Sequence, residues 1–256
     1  MKRAAPPLVV LAAFLSAWEG ASTLGLLSTL RFPSPSRLAS SFLELTVEGF
    51  PFGALLGAHV LVTLQRVLAG FLLAVALAIP LGLLIGSSPL LDRMTAPVVA
   101  FFRSVATLSL LPLALVWFGT GEASKVFLIG YGCFWVMLSN VIAAIKLVDP
   151  LLLSAAASLD TPRHQRFARV MLPAALPRIA SGARVALGMG FVVIVGAEMI
   201  GTTLGLGALI MEARTFYRTD ITLVGMACIG AIGFLITVAL GRLEVLLIPW
   251  QAGRLE

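Results

Sequence analysis

Few residues of this 256-residue chain have the type and spacing that catalysis requires. The two histidines, His59 and His164, lie far apart in the sequence and belong to no cluster with metal-ligand spacing. No Ser-His-Asp arrangement for nucleophilic catalysis is apparent. The two cysteines, Cys133 and Cys228, fall inside apolar runs and are expected to be packing residues. We therefore expect no catalytic residue, metal or cofactor in this chain.

One stretch looks like a nucleotide-binding loop, the run GTGEASK from Gly119 to Lys125. A phosphate-binding loop has the pattern G-x-x-x-x-G-K-[ST], whose backbone N–H groups surround the phosphates. The run has the wrong spacing between its glycines. Because no other stretch fits the pattern, ATP-driven work would require a separate chain.

An acidic residue inside an apolar run is a functional hypothesis by default, because a charge is costly in lipid. Glu198 is such a residue, and it lies about 20 Å along its run at the helical rise. It could line or gate a transport path, or it could make a structural polar contact. Four further polar residues inside apolar runs could line a path: Thr107, Ser109, Ser139 and Asn140.

The most polar segment of the chain, Ser154–Arg184, carries five arginines between two apolar runs. Asp149-Pro150 is expected to start a turn, followed by a short alanine-rich helix over Leu151–Leu159. Small side chains let another backbone approach closely, so this helix suits a groove on a partner. Packing on the protein's own surface is the alternative. Four residues of the helix share a face: Leu152, Ala155, Ala156 and Leu159.

A second helix is expected directly after Asp160. Thr161 could cap it, and Pro162 could occupy its first position, where a missing N–H does no harm. Leu172-Pro173 is expected to end it. Its two stripes are Phe167, Val170 and Met171 on one side and Arg163, Arg166 and Arg169 on another.

The composition indicates a membrane protein, since 59% of the residues are hydrophobic and only 12% are charged. A helix needs about 20 apolar residues to cross a bilayer. We predict an all-α membrane protein with six transmembrane helices. They fall in six apolar runs, residues 4–30, 67–86, 97–119, 126–145, 185–211 and 221–241.

Four positions inside these runs are expected to shape the helices and their packing. Gly82 and Gly86 lie one turn apart and permit a close helix crossing, as do Ala227 and Ala231. Pro80 and Pro112 are expected to kink their spans, because proline removes a helical hydrogen bond.

The orientation follows from Lys and Arg, which are retained on the cytoplasmic side. With the N-terminus inside, most basic residues fall on the inner side, including Lys2, Arg3, Arg103 and Arg254. Both termini and the segment Ser154–Arg184 are then cytoplasmic. The formal net charge of +6 lies on this side, where it could attract anionic lipid. No basic and aromatic residues interleave as a platform for nucleic acid.

The basic segment resembles the signature cytoplasmic loop of permease subunits of bacterial ATP-binding cassette importers. That family's pattern is Glu-Ala-Ala, three residues, Gly, nine residues, an aliphatic residue, any residue and Leu-Pro. Here Ser154-Ala155-Ala156, Asp160, Val170 and Leu172-Pro173 stand at these places. The leading glutamate and the glycine are replaced. Because Asp tolerates the left-handed conformation better than most residues, we expect the turn to survive.

The resemblance extends over nearly the whole chain and points to the nitrate/sulfonate/taurine branch of these permeases. It implies a first unit over residues 1–57, with a span and an external PSPS segment, and a permease core over 58–256 with a coupling loop at 149–184. The other matching pieces are Pro33–Ser36, Thr63–Val67, Gly70-Phe71, Ile79–Gly82, Leu111–Leu113, Trp117–Glu122, Ala197–Met199, Gly205–Gly207 and Pro249-Trp250.

The resemblance implies a non-catalytic subunit in a bacterial inner membrane. It would work with a second copy of itself, two cytoplasmic ATP-binding cassette ATPases and an external or periplasmic solute-binding protein. The solute would be an aliphatic sulfonate, taurine, nitrate or a similar anion. The residues implied to couple to the ATPase are Ser154, Ala155, Ala156, Ser158, Leu159, Asp160, Arg163, Arg166, Phe167, Leu172 and Pro173.

A secondary carrier or channel working without an ATPase is the alternative function. Such carriers commonly contain inverted repeats, with interrupted spans at matching positions in two halves. The sequence shows no such repeat, so the importer subunit is the favoured interpretation.

Overall fold

A computed structural model of the protein describes residues 5–28 and 30–250, which contain helices and no β-strand. Lys2, Arg3 and Arg254, which entered the orientation argument, lie outside these residues. A helix satisfies its own backbone hydrogen bonds, as a bilayer requires. The α-helices are α1 Ala5–Thr23, α2 Pro35–Val47, α3 Leu56–Ser87, α4 Pro89–Ser104, α5 Leu111–Phe118, α6 Glu122–Lys146, α7 Pro150–Ser158, α8 Arg163–Arg166, α9 Leu172–Glu198, α10 Leu206–Thr215 and α11 Thr219–Leu247.

Four helical stretches of the described chain are long and apolar enough to cross a bilayer: Leu56–Ser87, Glu122–Lys146, Arg163–Glu198 and Thr219–Leu246. A bent pair of helices, Pro89–Ser104 with Thr107–Phe118, raises the number to as many as five. The first expected run forms α1, which ends at Thr23 and is not among these. The all-helical membrane fold is thus confirmed, and the number of six spans stays a prediction.

The third expected span is broken. The chain leaves α4 at Val105 in an extended conformation, passes through a short 3₁₀ helix and resumes as α5 at a bend of 80°. Pro112 lies in the first turn of α5, where its missing N–H costs little, so it begins a helix rather than kinking one. Pro80, in contrast, lies inside the continuous helix α3.

The described residues divide into two compact units. One contains the chain up to Thr63 together with Glu198–Ala231. The other contains Leu64–Ala197 and the chain from Ile232 onward.

Glycines let helices α3 and α6 of the second unit approach closely. A Cβ atom at Gly70 would lie 2.7 Å from Ile129, and one at Gly82 would lie 2.7 Å from the side chain of Val141. At Gly86 the nearest atom, of Ile145, is at 3.0 Å. The close crossing predicted at Gly82 and Gly86 is confirmed. The pair Ala227 and Ala231 is exposed instead.

Three ion pairs join helices of the second unit. A charge within or next to an apolar helix is tolerated in membrane proteins when an opposite charge compensates it. Arg66 of α3 binds Glu122 of α6 through two bonds, of 2.5 and 2.6 Å. The other two pairs are Lys146 with Asp92, at 2.7 Å, and Arg184 with Glu244, at 3.0 Å.

In the first unit, Arg218 connects α2 with the start of α11. Its guanidinium donates two hydrogen bonds to Glu44, at 3.1 and 2.7 Å, and further bonds to Asp220. The bonds to Glu44, followed by those to Asp220, raise the pKa of Arg218 above its usual value. Ser41 also donates to Asp220, at 2.8 Å.

The PSPS segment begins α2. Ser34 caps the helix, because its hydroxyl accepts from the N–H of Arg37, and Pro35 follows at the first position. Ser36 donates its N–H and its hydroxyl to the carboxylate of Glu19 on α1. Glu19, the acid within the apolar run of α1, therefore lies at the N-terminus of α2 and binds it.

The crossing of α3 and α6 predicts a stability effect at Gly82. Replacing Gly82 by Ala places a methyl group against the β-branched Val141, and relieving this overlap should lower the free energy of unfolding by about 1–3 kcal/mol. Thermal unfolding of the purified protein in one detergent measures the change.

Gly57→Ala is the matched control, because Gly57 lies on the same helix and has no atom within 4 Å of a built Cβ. Equal unfolding temperatures for Gly82→Ala and Gly57→Ala would contradict the close crossing.

Candidate coupling loop and translocation path

The alanine-rich segment forms α7, and its ends follow from local sequence. Asp149 caps the helix, because its carboxylate accepts from the N–H of Leu151 at 2.8 Å, and Pro150 occupies the first turn. Ala156 is the buried residue of the helix, at 7% exposure. Leu152 and Leu159, the leucines of the predicted face, are 43% and 79% exposed, and Leu151 beside them is 74% exposed. The predicted face is therefore divided, with Ala156 against this chain and the leucines available to a partner.

The turn after α7 is a Schellman motif. Asp160 has a φ of +51°, in the left-handed region, where the family pattern has glycine. Its N–H bonds to the carbonyl of Ala157, and the N–H of Thr161 bonds to the carbonyl of Ala156. The expectation that Asp160 preserves the turn is confirmed. The next helix begins at Arg163 with Pro162, rather than Thr161, at the N-cap.

The prediction that Leu172-Pro173 ends the second helix is wrong. The helix continues from Arg163 to Glu198 through a π-helical turn at Phe167–Met171. The N–H of Leu172 bonds to the carbonyl of Phe167, five residues back. This wider turn accommodates Pro173, which lacks an N–H and would clash with a carbonyl in a regular α-helix. The basic segment is therefore the end of a long apolar helix.

The five arginines of this segment have different surroundings. Arg166 and Arg178 donate to the backbone carbonyls of Thr161 and Leu147, so they hold the loop to its own chain. Arg184 pairs with Glu244. Arg163 and Arg169 are exposed and form no bond with the described residues, which leaves their charges available at the surface.

In the run that looks like a phosphate loop, Gly119 to Lys125, the lysine binds the loop's own backbone. Gly119 has a φ of +71°, and Gly121 is the N-cap of α6. The ammonium group of Lys125 donates to the carbonyls of Thr120 and Gly121, at 3.0 and 3.3 Å. The lysine is buried at the start of α6 and turned toward its own loop.

Glu198 is fully buried at the end of α9, at 0% exposure. Its carboxylate accepts hydrogen bonds from the hydroxyl of Thr63 and from the N–H of Gly207, each at 2.9 Å. Thr63 in turn accepts from the N–H of Leu206 at 2.8 Å. These two N–H groups open α10, which has no side-chain cap of its own, so an acid here satisfies the helix N-terminus.

Gly205 allows this arrangement. Its φ of +129° is a conformation that other residues rarely adopt, and the Glu198 carboxylate oxygens lie 2.5 and 2.6 Å from the position of a Cβ atom. His59, also fully buried, binds the carbonyl of Phe50 and the backbone of Gly205. Of the two roles considered for Glu198, this geometry supports the structural contact.

One feature of the sequence indicates this cluster. His59 and Thr63 lie four residues apart and so share a face of α3. Two polar residues on one face of an apolar helix indicate a polar partner, which proves to be the Glu198–Gly207 stretch.

The other four residues proposed for the path lie apart. Thr107 is buried against Gly132, and Ser109 donates to the carbonyl of Ala106. Asn140 donates to the carbonyl of Val136 and packs on Gly182. Ser139 alone opens on a cleft of about 350 Å³ between α4 and α6.

Two polar residues of α4, Arg103 and Ser104, line the same cleft. Sequence reasoning assigned Arg103 to the inner surface as one of its basic residues. In the structure α4 begins at Pro89 and packs against α6, so Arg103 lies in the last turn of α4, about four turns along the helix from its start.

Residues 78–252 match the family described as "Binding-protein-dependent transport system inner membrane component". The chain belongs to this family. The taurine transport system permease protein TauC of Escherichia coli (strain K12) is 37% identical over 242 residues, covering 94% of this chain and 88% of that protein. The bicarbonate transport system permease protein CmpB of Synechocystis sp. is 31% identical over 254 residues, covering 96% and 89%.

The fold also matches a solved structure. A chain of the MetNI methionine ABC transporter, in an inward-facing conformation, superposes with a TM-score of 0.62 at 22% identity and covers 73% of this chain and 93% of that chain. The resemblance to binding-protein-dependent permeases is thus confirmed, and this protein is a multi-pass inner-membrane transport permease component.

The Glu198 cluster predicts a stability effect. In Glu198→Gln one amide oxygen can still accept from both Thr63 and Gly207, but it carries no charge. The bonds become weaker neutral ones, and the free energy of unfolding should fall by about 1–2 kcal/mol. Thermal unfolding in detergent measures this. Glu212→Gln is the control, because the Glu212 side chain forms no bond with the described residues. Unchanged stability with lost solute uptake would instead favour a role in the path.

Proposed function

We propose that this chain is the membrane-spanning subunit of an ATP-driven importer for a small oxyanion, such as taurine, another aliphatic sulfonate, bicarbonate or nitrate. The observation that carries the proposal is the family match over residues 78–252, together with near full-length similarity to taurine and bicarbonate permeases. The family description itself names a binding protein, which would deliver the solute from outside. ATP hydrolysis would occur on a separate ATPase chain.

The helix α7 is the proposed coupling element. It stands between two spanning helices, it is fixed at both ends by a cap and a Schellman motif, and it presents Leu151 and Leu159 to the surroundings. A rigid helix with exposed apolar side chains suits a groove on the ATPase. The exposed charges of Arg163 and Arg169 lie beyond it and would steer docking toward an acidic rim.

A second copy of this chain is the proposed partner in the membrane, and two ATPases would then serve the pair. The support comes from α4, in which no residue is buried. Leu90, Met94, Val98 and Phe101 are exposed at three- and four-residue spacing and so form one apolar stripe. The stripe faces away from the cleft residues and suits contact with a second copy.

The proposed orientation has both termini and α7 in the cytoplasm. It rests on the distribution of Lys and Arg between the two sides of the apolar runs. The basic surface on the inner side would also contact anionic lipid.

Docking of α7 on the ATPase predicts a coupling defect for Leu159→Asp. A charge at this exposed position should cost about 1 kcal/mol or more of binding and leave the protein folded, since Leu159 packs little against its own chain. Ala156 is a poorer choice, because its burial means that a substitution also disturbs packing. Copurification of the ATPase and solute-stimulated ATP hydrolysis are measured after reconstitution with the binding protein.

Leu24→Asp is the matched control, because Leu24 is a similarly exposed leucine in the turn after α1. Normal copurification and normal stimulation in Leu159→Asp would remove α7 from the coupling role.

The orientation predicts a labelling pattern. In a protein whose two cysteines are replaced by serine, a cysteine at exposed position 163 should resist a membrane-impermeant thiol reagent in intact cells. A cysteine at exposed position 48 should react. Permeabilised cells provide the control for reactivity at both positions. The reverse pattern in intact cells would refute the proposed orientation.

A further inference from the structure

The cleft between α4 and α6 has a charged residue of α4 at each end. Its α4 wall consists of residues at helical spacing from Asp92 to Arg103, and small or apolar residues occupy the positions between. Arg103 and Ser104, at the C-terminal end of α4, line the cleft together with Ser139 of α6. The volume of about 350 Å³ is in the range of small-molecule sites.

Arg103 lies in the last turn of α4, and this turn packs against the middle of the membrane-spanning helix α6. Its neighbour Phe102 stacks on Trp135 of α6 at 5.1 Å, and the carbonyl of Phe102 accepts from the hydroxyl of Tyr131 at 3.0 Å. At a rise of about 1.5 Å per residue, Tyr131 is about 14 Å from the Glu122 end of α6 and about 22 Å from the Lys146 end. Arg103 therefore lies at the level of the bilayer interior.

The charge of Arg103 is uncompensated within the described chain. Its exposed guanidinium makes no hydrogen bond or ion pair with the described residues. Asp92, the acid of the same cleft, is neutralised by Lys146 at 2.7 Å. A charged residue at this depth is costly, and it faces a path or a partner by default. The cleft thus carries one net positive charge without a fixed counter-ion.

We propose that Arg103 binds the oxyanion group of the transported solute as it passes through the membrane. A guanidinium group offers a planar fork of N–H donors, which fits two oxygens of a sulfonate or carbonate. This inference rests on the proposed function, because it takes the solute to be an anion.

Ser104 and Ser139 complete the site as acceptors. Each hydroxyl donates to a carbonyl one helical turn back, Ala100 and Trp135 respectively, at 2.8 Å. Their oxygens keep lone pairs that can accept a hydrogen bond. Taurine, with an ammonium group, and bicarbonate, with a hydroxyl, each carry a donor as well as an oxyanion. The cleft therefore offers a partner for both ends of such a solute.

A role for Arg103 in its own helix alone is the competing explanation. The residue lies in the last turn of α4, where any cation favours the helix dipole. An ion pair with an acid of a second copy is another. The three explanations differ in what they predict for charge, for fork geometry and for self-association.

The test uses the permease reconstituted with its ATPase and binding protein in liposomes, with radiolabelled taurine and radiolabelled bicarbonate as probes. Arg103→Gln should lower the maximal uptake rate at saturating binding protein by about 10-fold or more, because losing a hydrogen bond to a charged group typically changes an equilibrium or rate by this factor. Arg103→Lys should restore uptake only in part, because it keeps the charge and loses the fork. Assembly and basal ATP hydrolysis should not change.

Arg93→Gln is the matched control, because Arg93 is an exposed arginine of the same helix outside the cleft. It should transport at the wild-type rate. In a background of Cys133→Ser and Cys228→Ser, Arg103→Cys should regain uptake after reaction with a cationic aminoethyl thiol reagent. An anionic sulfonatoethyl reagent of similar size should not restore it.

Normal uptake in Arg103→Gln, or equal rescue by both reagents, would overturn the inference. Loss of self-association in Arg103→Gln would overturn it in favour of an ion pair between copies, and full activity of Arg103→Lys would favour the helix-dipole role. In these cases the wild-type complex still imports an anion. Failure of the wild-type complex to import either probe in an ATP-dependent manner would contradict the proposed function, and this inference with it.

Discussion

Polar groups placed within apolar helices must find partners, and the rest of this structure depends on that constraint. Removing a charged or hydrogen-bonding group from water is costly unless another group compensates it. In the second unit, ion pairs join α3 to α6, α6 to α4 and α9 to α11. They are Arg66 with Glu122, Lys146 with Asp92 and Arg184 with Glu244. In the first, Glu198 satisfies the start of α10, and Arg218 holds α2 to α11. These contacts determine which helices are neighbours, and the glycines of α3 determine how closely α3 and α6 pack.

Against this background the functional candidates are the groups that the chain leaves uncompensated. Leu151 and Leu159 of α7 are apolar and exposed, and the nearby Arg163 and Arg169 form no bond with the part of the chain that the structure describes. Arg103 is charged, lines a cleft and has no ion-pair partner among the described residues. Each of these features lacks a binding partner. The helix presents apolar side chains that another surface could bury, and the cleft presents a charge that an anion could neutralise. The first suits a protein groove and the second suits a small anion.

Local sequence was sufficient to predict the features that depend on near neighbours. The short helix α7 and the close crossing at Gly82 and Gly86 follow from propensity and spacing. The left-handed turn at Asp160 follows from the glycine that the family pattern has at this place. The helix end at Leu172-Pro173 could not be predicted correctly, because the π-turn that accommodates Pro173 depends on the register of the whole helix. The partners of Glu198 lie on α3 and α10, and no periodicity within one helix reveals them. Arg103 was counted as a surface charge because its depth depends on where the third span breaks.

The central claim is that this chain is a conduit that moves solute only when an ATPase drives it. Flux of radiolabelled taurine into liposomes tests this most directly. The permease alone is compared with the complex that contains the ATPase and the binding protein. ATP is supplied on the side of the liposome membrane to which the ATPase is bound. The account predicts accumulation by the complete complex in the presence of ATP, and neither accumulation nor equilibration by the permease alone. Equilibration or exchange of taurine through the permease alone would contradict the account and would identify a carrier or channel.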